Sequence, residues 1–152
     1  MANLTRITRF GMVNAYLVRE DDGFTVVDTM IPNSAKSIVK AAERAGVPIV
    51  RIGSLEVIAG PGHTPGHIAL LDSRDRTLLC GDVFSTLGGV ATSARVNPRF
   101  PLPTLATWHR PTELESSRRL RDLEPARLAS GHGKVVDSPV EAMDAAIRRA
   151  GG

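Results

Sequence analysis

Three polar residues stand in equivalent places along the chain. His63 follows the apolar run LEVIA, Asp82 ends the run TLLCGD and His132 follows RLAS, each directly after a glycine, Gly62, Gly81 and Gly131. Imidazole nitrogen and carboxylate oxygen are ligand types that zinc accepts, and iron or manganese accept them too. A strand that ends in a sharp turn at glycine presents the next side chain at the sheet edge, where a site can form. Taken singly, each residue has an ordinary explanation: a lone histidine beside Gly-Pro is a loop residue, and an aspartate after glycine at a strand end is a turn former. His67 follows His63 in the run GPGHTPGH, but Pro65 and Gly66 exclude the helix that would place both rings on one face.

The elements that must position these groups read as strands interleaved with helices, an α/β (α+β) chain of stacked layers. Residues 4–10 and 12–19 are β-branched and apolar around Gly11, and the DDG turn at 21–23 leads into a third strand, FTVVDT. Asn33 or Ser34 caps a helix that runs to Ala45 with Ile38, Ala42 and Ala45 on its apolar face, and Gly46 stops it. VPIVRI and LEVIA form two strands around a Gly53-Ser54 turn, and IALLDS and TLLCGD form two buried strands joined by RDR. Residues 86–110 read as one long loop, with Trp108 expected in the core. The spacing Thr112-x-x-Glu115 predicts a helix to Leu123, and Ser138-x-x-Glu141, with Pro139 at the first turn, predicts another to Arg149.

Composition narrows the function classes. A chain of 152 residues with 42% hydrophobic and 23% charged residues is the size and type of one globular domain. No apolar run approaches the ~20 residues of a membrane helix, and MANLTRITRF lacks the apolar stretch of a signal peptide; both point to the cytoplasm. Cys80 is the single cysteine, which excludes an intrachain disulfide and suits a small buried hydrophobe. The formal charge of +3 reflects arginines in the last third that are interleaved with acids, a solvated ion-paired face. With aromatics at 4%, the basic stripe with stacking rings that nucleic-acid binding needs is absent.

The ordered set GHTPGH, LLCGD and GHG resembles the second half of a metallo-β-lactamase-fold hydrolase, and NAYLVREDDGFTVVDTM at 14–30 resembles that family's opening hairpin. The resemblance implies an αββα sandwich and a metal centre in which His63 and His132 are ligands and Asp82 bridges two metals. It also implies that His67 supports the ligands from behind, and that Asp28 is an acidic group near the centre. The family's His-x-His-x-Asp-His signature, which follows the strand after the first helix, is missing: no His-x-His occurs in the chain, and the surroundings of His109 do not resemble a ligand loop. The chain therefore reads as a single domain, 1–152, truncated in its first half by loss of an internal block near residues 52–53. Two ligands per metal are too few for a dinuclear centre. A single zinc on His63, Asp82 and His132, with an open water position, is the form that remains, iron or manganese being alternatives. The expectation is a metal-dependent hydrolase of a small molecule with a reduced site; the alternative is an inactive remnant or engineered scaffold. Loss of helices from the first half would bare a sheet face, which a homodimer would cover.

Overall fold

The computed structural model describes residues 4–20, 23–28, 34–45 and 55–151. Strands β1 (Leu4–Arg9), β2 (Val13–Arg19) and β3 (Phe24–Val27) form an antiparallel meander with β2 in the centre. The two-residue period of β2 sends alternate side chains into different layers. Ala15 and Leu17 join Phe24 with Ile38 and Ala42 of helix α1 (Ala35–Ala45), whereas Tyr16 and Val18 pack against Leu55, Leu70, Leu79 and Ala129 of a second sheet.

That second sheet contains β4 (Leu55–Ala59), β5 (Ile68–Asp72), β6 (Thr77–Gly81), β9 (Arg127–Ser130) and β10 (Val136–Asp137), in the order β10-β9-β6-β5-β4. Strands β6 and β9 pair in parallel, so the chain must cross over between them; the other pairs are antiparallel. The crossover carries the short ribbon β7 (Phe84–Ser85) and β8 (Ala91–Thr92) and the helices α2 (Leu102–Leu105) and α3 (Arg110–Asp122). The outer face of this sheet, with Ala69, Leu71, Leu78, Cys80 and Leu128, is covered by Leu120 of α3 and by Met143, Ala146 and Ile147 of α4 (Val140–Arg149). The layers are thus α1, three-stranded sheet, five-stranded sheet, and α3 with α4, an αββα sandwich with apolar cores between successive layers. No helix among the described residues is long and apolar enough to cross a membrane.

Several sequence expectations are met. Cys80 is buried, Met143 and Ile147 face the core, and the hairpins of β1–β2 and β5–β6 fall where the turns placed them. Others need correction. Residues 86–110 are not one loop, because the β7–β8 ribbon and α2 lie within or against them. Trp108 is 64% exposed rather than a core residue. Helix α3 begins earlier than Thr112: the His109 ring accepts from the Thr112 amide and caps it. The Ser138 box is not formed either; α4 has no side-chain cap, Ser138 has φ +48°, and its amide is bonded to Ala126 O. The turn residues Asp21 and Asp22, the cap Asn33, the stop Gly46, the VPIVRI strand, the Gly53-Ser54 turn and the junction at 52–53 lie outside the described residues.

Candidate functional site

Strand β6 and the loop after β9 end side by side, joined by a hydrogen bond from Gly131 N to Gly81 O. At Gly81 the register of β6 against β9 shifts and φ is +54°, a bulge that re-aims the next residue, Asp82. His63 lies in the turn after β4, and His132 in the loop after β9. The three side chains that the sequence singled out come together. His63 Nε2 is 3.5 Å from Asp82 Oδ2 and His132 Nε2 is 3.3 Å from Asp82 Oδ1. One carboxylate therefore meets one imidazole on each of its oxygens, and its side chain is 30% exposed, open to small molecules. Among the described residues, no group of three or more His, Cys, Asp or Glu side chains is gathered closely enough to hold a metal ion as placed.

The other ring nitrogens decide what the site can accept. His132 Nδ1 lies 2.9 Å from Met12 O, and a carbonyl only accepts, so Nδ1 carries the proton. His63 Nδ1 lies 3.2 Å from Thr107 Oγ1. The one hydroxyl proton of Thr107 goes to a main-chain carbonyl, Pro103 O at 2.8 Å or Ser93 O at 3.2 Å, so its oxygen accepts from His63. Each imidazole thus turns its other nitrogen, Nε2, toward a carboxylate oxygen. A proton on Nε2, or a cation shared with the carboxylate, satisfies each of these contacts. The donor set fits a divalent metal, with Thr107 and Met12 O placed on the far ring nitrogens as outer partners that would orient ligating histidines.

His67 stands behind this set. Its Nε2 accepts the Asp82 amide at 3.2 Å, and its ring meets that of His63 edge-on. Burial lowers its pKa, with the Asp82 charge opposing and His63 reinforcing. Asp28, at the end of β3 with φ +66°, lies near enough for its charge to act on His67 and Tyr16, and its own side is exposed.

The three glycines also make room. A Cβ at Gly81 would lie 2.5 Å from His67 Nε2, one at Gly131 would overlap Asp82 Oδ1, and one at Gly62 would lie 2.6 Å from Glu113 Oε2. Glu113 was missed by sequence reasoning. It is wholly buried at the start of α3, neither carboxyl oxygen has a hydrogen-bond partner, and burial pushes its pKa up to about 8 against the pull of the His63 amide. The available signal was its place on the buried stripe Glu113, Ser116, Ser117, Leu120, which has helical spacing. Also unforeseen were Phe100, whose ring lies 5.0 Å from that of His132, and Asn14, which donates to Ser130 O and Gly133 O on either side of His132. The His63 turn is fastened to the start of α3 by the amides of Trp108 and His109, which donate to His63 O and Gly62 O.

Comparison with known proteins agrees with this architecture. YobT of Bacillus subtilis (strain 168), an uncharacterized protein, is 29% identical over 210 aligned positions, covering 91% of this chain and 90% of YobT. The probable metallo-hydrolase YflN of the same organism is 38% identical over 79 residues, 50% of this chain and 30% of its own. Among solved structures, the BLEG-1 B3 metallo-beta-lactamase superposes with a TM-score of 0.66 at 15% identity, covering 93% of this chain and 96% of that one. A metallo-beta-lactamase family protein from Thermus thermophilus superposes at 0.61 and 15% identity, over 97% of this chain and 79% of its own. At such identities the structural likeness speaks for the fold alone. The family model of the metallo-beta-lactamase superfamily matches residues 48–132, more than half of the sequence and inclusive of His63, Asp82 and His132, and the chain belongs to that superfamily.

Proposed function

We propose that this chain is a metal-dependent hydrolase with a reduced centre, a single zinc held by His63 Nε2, Asp82 and His132 Nε2, with iron or manganese as the other candidates. The observation that supports this reading most is the pair of imidazole Nε2 atoms facing opposite oxygens of one carboxylate. When bound, such an ion polarises a carbonyl or phosphoryl oxygen and lowers the pKa of a water in its open position. The chain's own groups hold the arrangement. Thr107 and Met12 O hold each imidazole through Nδ1, His67 holds the Asp82 amide, and Ser93 Oγ donates to the Asp82 carbonyl. The printed name of YflN supports hydrolysis as the activity class.

The substrate in this reading is a small molecule with an apolar part. Phe10 and Met12, in the turn that accepts from His132, and Leu105 and Trp108, in the segment fastened to His63, are exposed apolar side chains flanking the two histidines. The missing internal block belongs to the same proposal. No His-x-His occurs in the sequence, and the alignment with YobT is longer than this chain's 152 residues, so YobT carries stretches without a counterpart here. The inactive-remnant alternative is not favoured, since it gives no reason for two histidines to keep Nε2 turned toward one carboxylate. We keep the cytoplasm as the proposed compartment.

Zinc titration by calorimetry, with metal analysis after dialysis, tests the reading. About one zinc per chain is expected, with His63→Ala and His132→Ala each weakening binding about tenfold or more. Metal content far below one per chain, or variants that bind zinc like the wild type, would overturn it.

A further inference from the structure

Away from the His63, Asp82 and His132 cluster, segment 88–99 and helix α4 enclose an open cavity of about 690 Å³, within the range of small-molecule sites. Arg95, Arg99 and Arg149 line it, and no aspartate or glutamate does. Each guanidinium is steadied on a main-chain carbonyl: Arg95 on Arg149 O, Arg149 on Val90 O at 2.9 Å and Arg99 on Gly88 O at 3.4 Å. Among the described residues, no carboxylate lies within ion-pair distance of these three. The acidic side chains of α4 do not neutralise them, because Asp144 is held by Arg121 of α3 and Glu141 is not part of the lining. Each guanidinium has five N–H donors, so most remain for a guest. Thr92 and Asn97 also line it, and the remaining wall is apolar, with Val90, Ala142 and Ala146 among its side chains.

Three arginines gathered without a counter-charge, beside a wall of small apolar side chains, match an anion with a hydrocarbon body. We propose that this cavity binds a small organic anion, with its carboxylate or phosphate on Arg95, Arg99 and Arg149 and its apolar part against Val90, Ala142 and Ala146. None of the proposed metal ligands lines the cavity, so this inference goes beyond the hydrolase reading and does not depend on it.

The test is titration of the full chain, without added metal, with octanoate, octyl phosphate and 1-octanol at constant ionic strength, followed by amide NMR shifts. At least one of the two anions is expected to give saturable shifts confined to residues 88–99 and 142–149. The neutral alcohol is expected to bind about tenfold more weakly or worse, and Arg99→Glu to weaken the anion about tenfold or more. Ala145→Trp, which places an indole against the apolar wall and leaves the charges alone, is expected to weaken binding about tenfold or more and serves as the second variant. The inference is overturned if neither anion saturates, if the alcohol binds as well, if the folded variants bind like the wild type, or if the shifts centre on His63 and Asp82.

Discussion

The side chain of Asp82 fills the space that any side chain at Gly131 would need: a Cβ there would overlap Oδ1. The backbone at Gly131 is also fixed, because its amide is bonded to Gly81 O and its carbonyl accepts from Asn14 N at 2.9 Å. The carboxylate, not the main chain, must therefore yield. Gly131→Ala is expected to leave the far-ultraviolet spectrum unchanged while weakening zinc binding about tenfold or more. A variant with wild-type affinity would show that the position of Asp82 is not what the glycine protects.

His67 holds the main chain at Asp82 through one half-buried hydrogen bond. Substitution by alanine leaves the Asp82 amide without its acceptor and opens a cavity beside Gly60 and Gly81, whose Cβ positions both lie against the ring. His67→Ala is expected to cost about 2 kcal/mol in urea unfolding at pH 7. A loss below roughly 0.5 kcal/mol would mark the bond as dispensable.

Arg74 ties the end of β5 to the end of β2. Its Nε and Nη2 donate to the two oxygens of the buried Asp72 at 2.9 and 2.7 Å, and Nη1 donates to Glu20 at 3.2 Å. Burial raises the Asp72 pKa, but the hydrogen bonds and charge of Arg74 outweigh that and hold it below the ordinary 3.8. The stability from this pair is therefore complete above 3.8 and is lost as pH falls through the lower folded value. Arg74→Ala is expected to cost about 3 kcal/mol at neutral pH, since it removes both guanidinium bonds to the buried Asp72 carboxylate, and less once Asp72 is protonated. Unfolding curves from about pH 7 to about pH 2 check this; a penalty independent of pH would refute the assignment.

Among the described residues, β4 is the last strand of the five-stranded sheet, and Val57 and Ile68, on the face shared with Leu55 and Leu70, are 60% and 52% exposed. An apolar sheet edge of this kind favours pairing with a second copy. Light scattering on a sizing column is expected to show a dimer that Val57→Lys dissociates. A clean monomer for the wild type would remove this expectation.

Residue type and order alone determined that strands lead into the glycines before His63, Asp82 and His132, and that β5 and β6 are buried. Those signals are local, since a strand's period and a turn's glycine are written within a few residues. Where the sequence went astray, a long-range contact overrode a local one. His109 rather than Thr112 caps α3, and Trp108 stays outside because its segment is fastened to the His63 turn. Only the tertiary structure brought Met12 O, 120 residues away in sequence, to His132 Nδ1, and Thr107 to His63. A carbonyl acceptor has no signature in residue type, because every residue carries one. What these partners decide is which ring nitrogen is left to face Asp82, and so whether two histidines and an aspartate can share a cation.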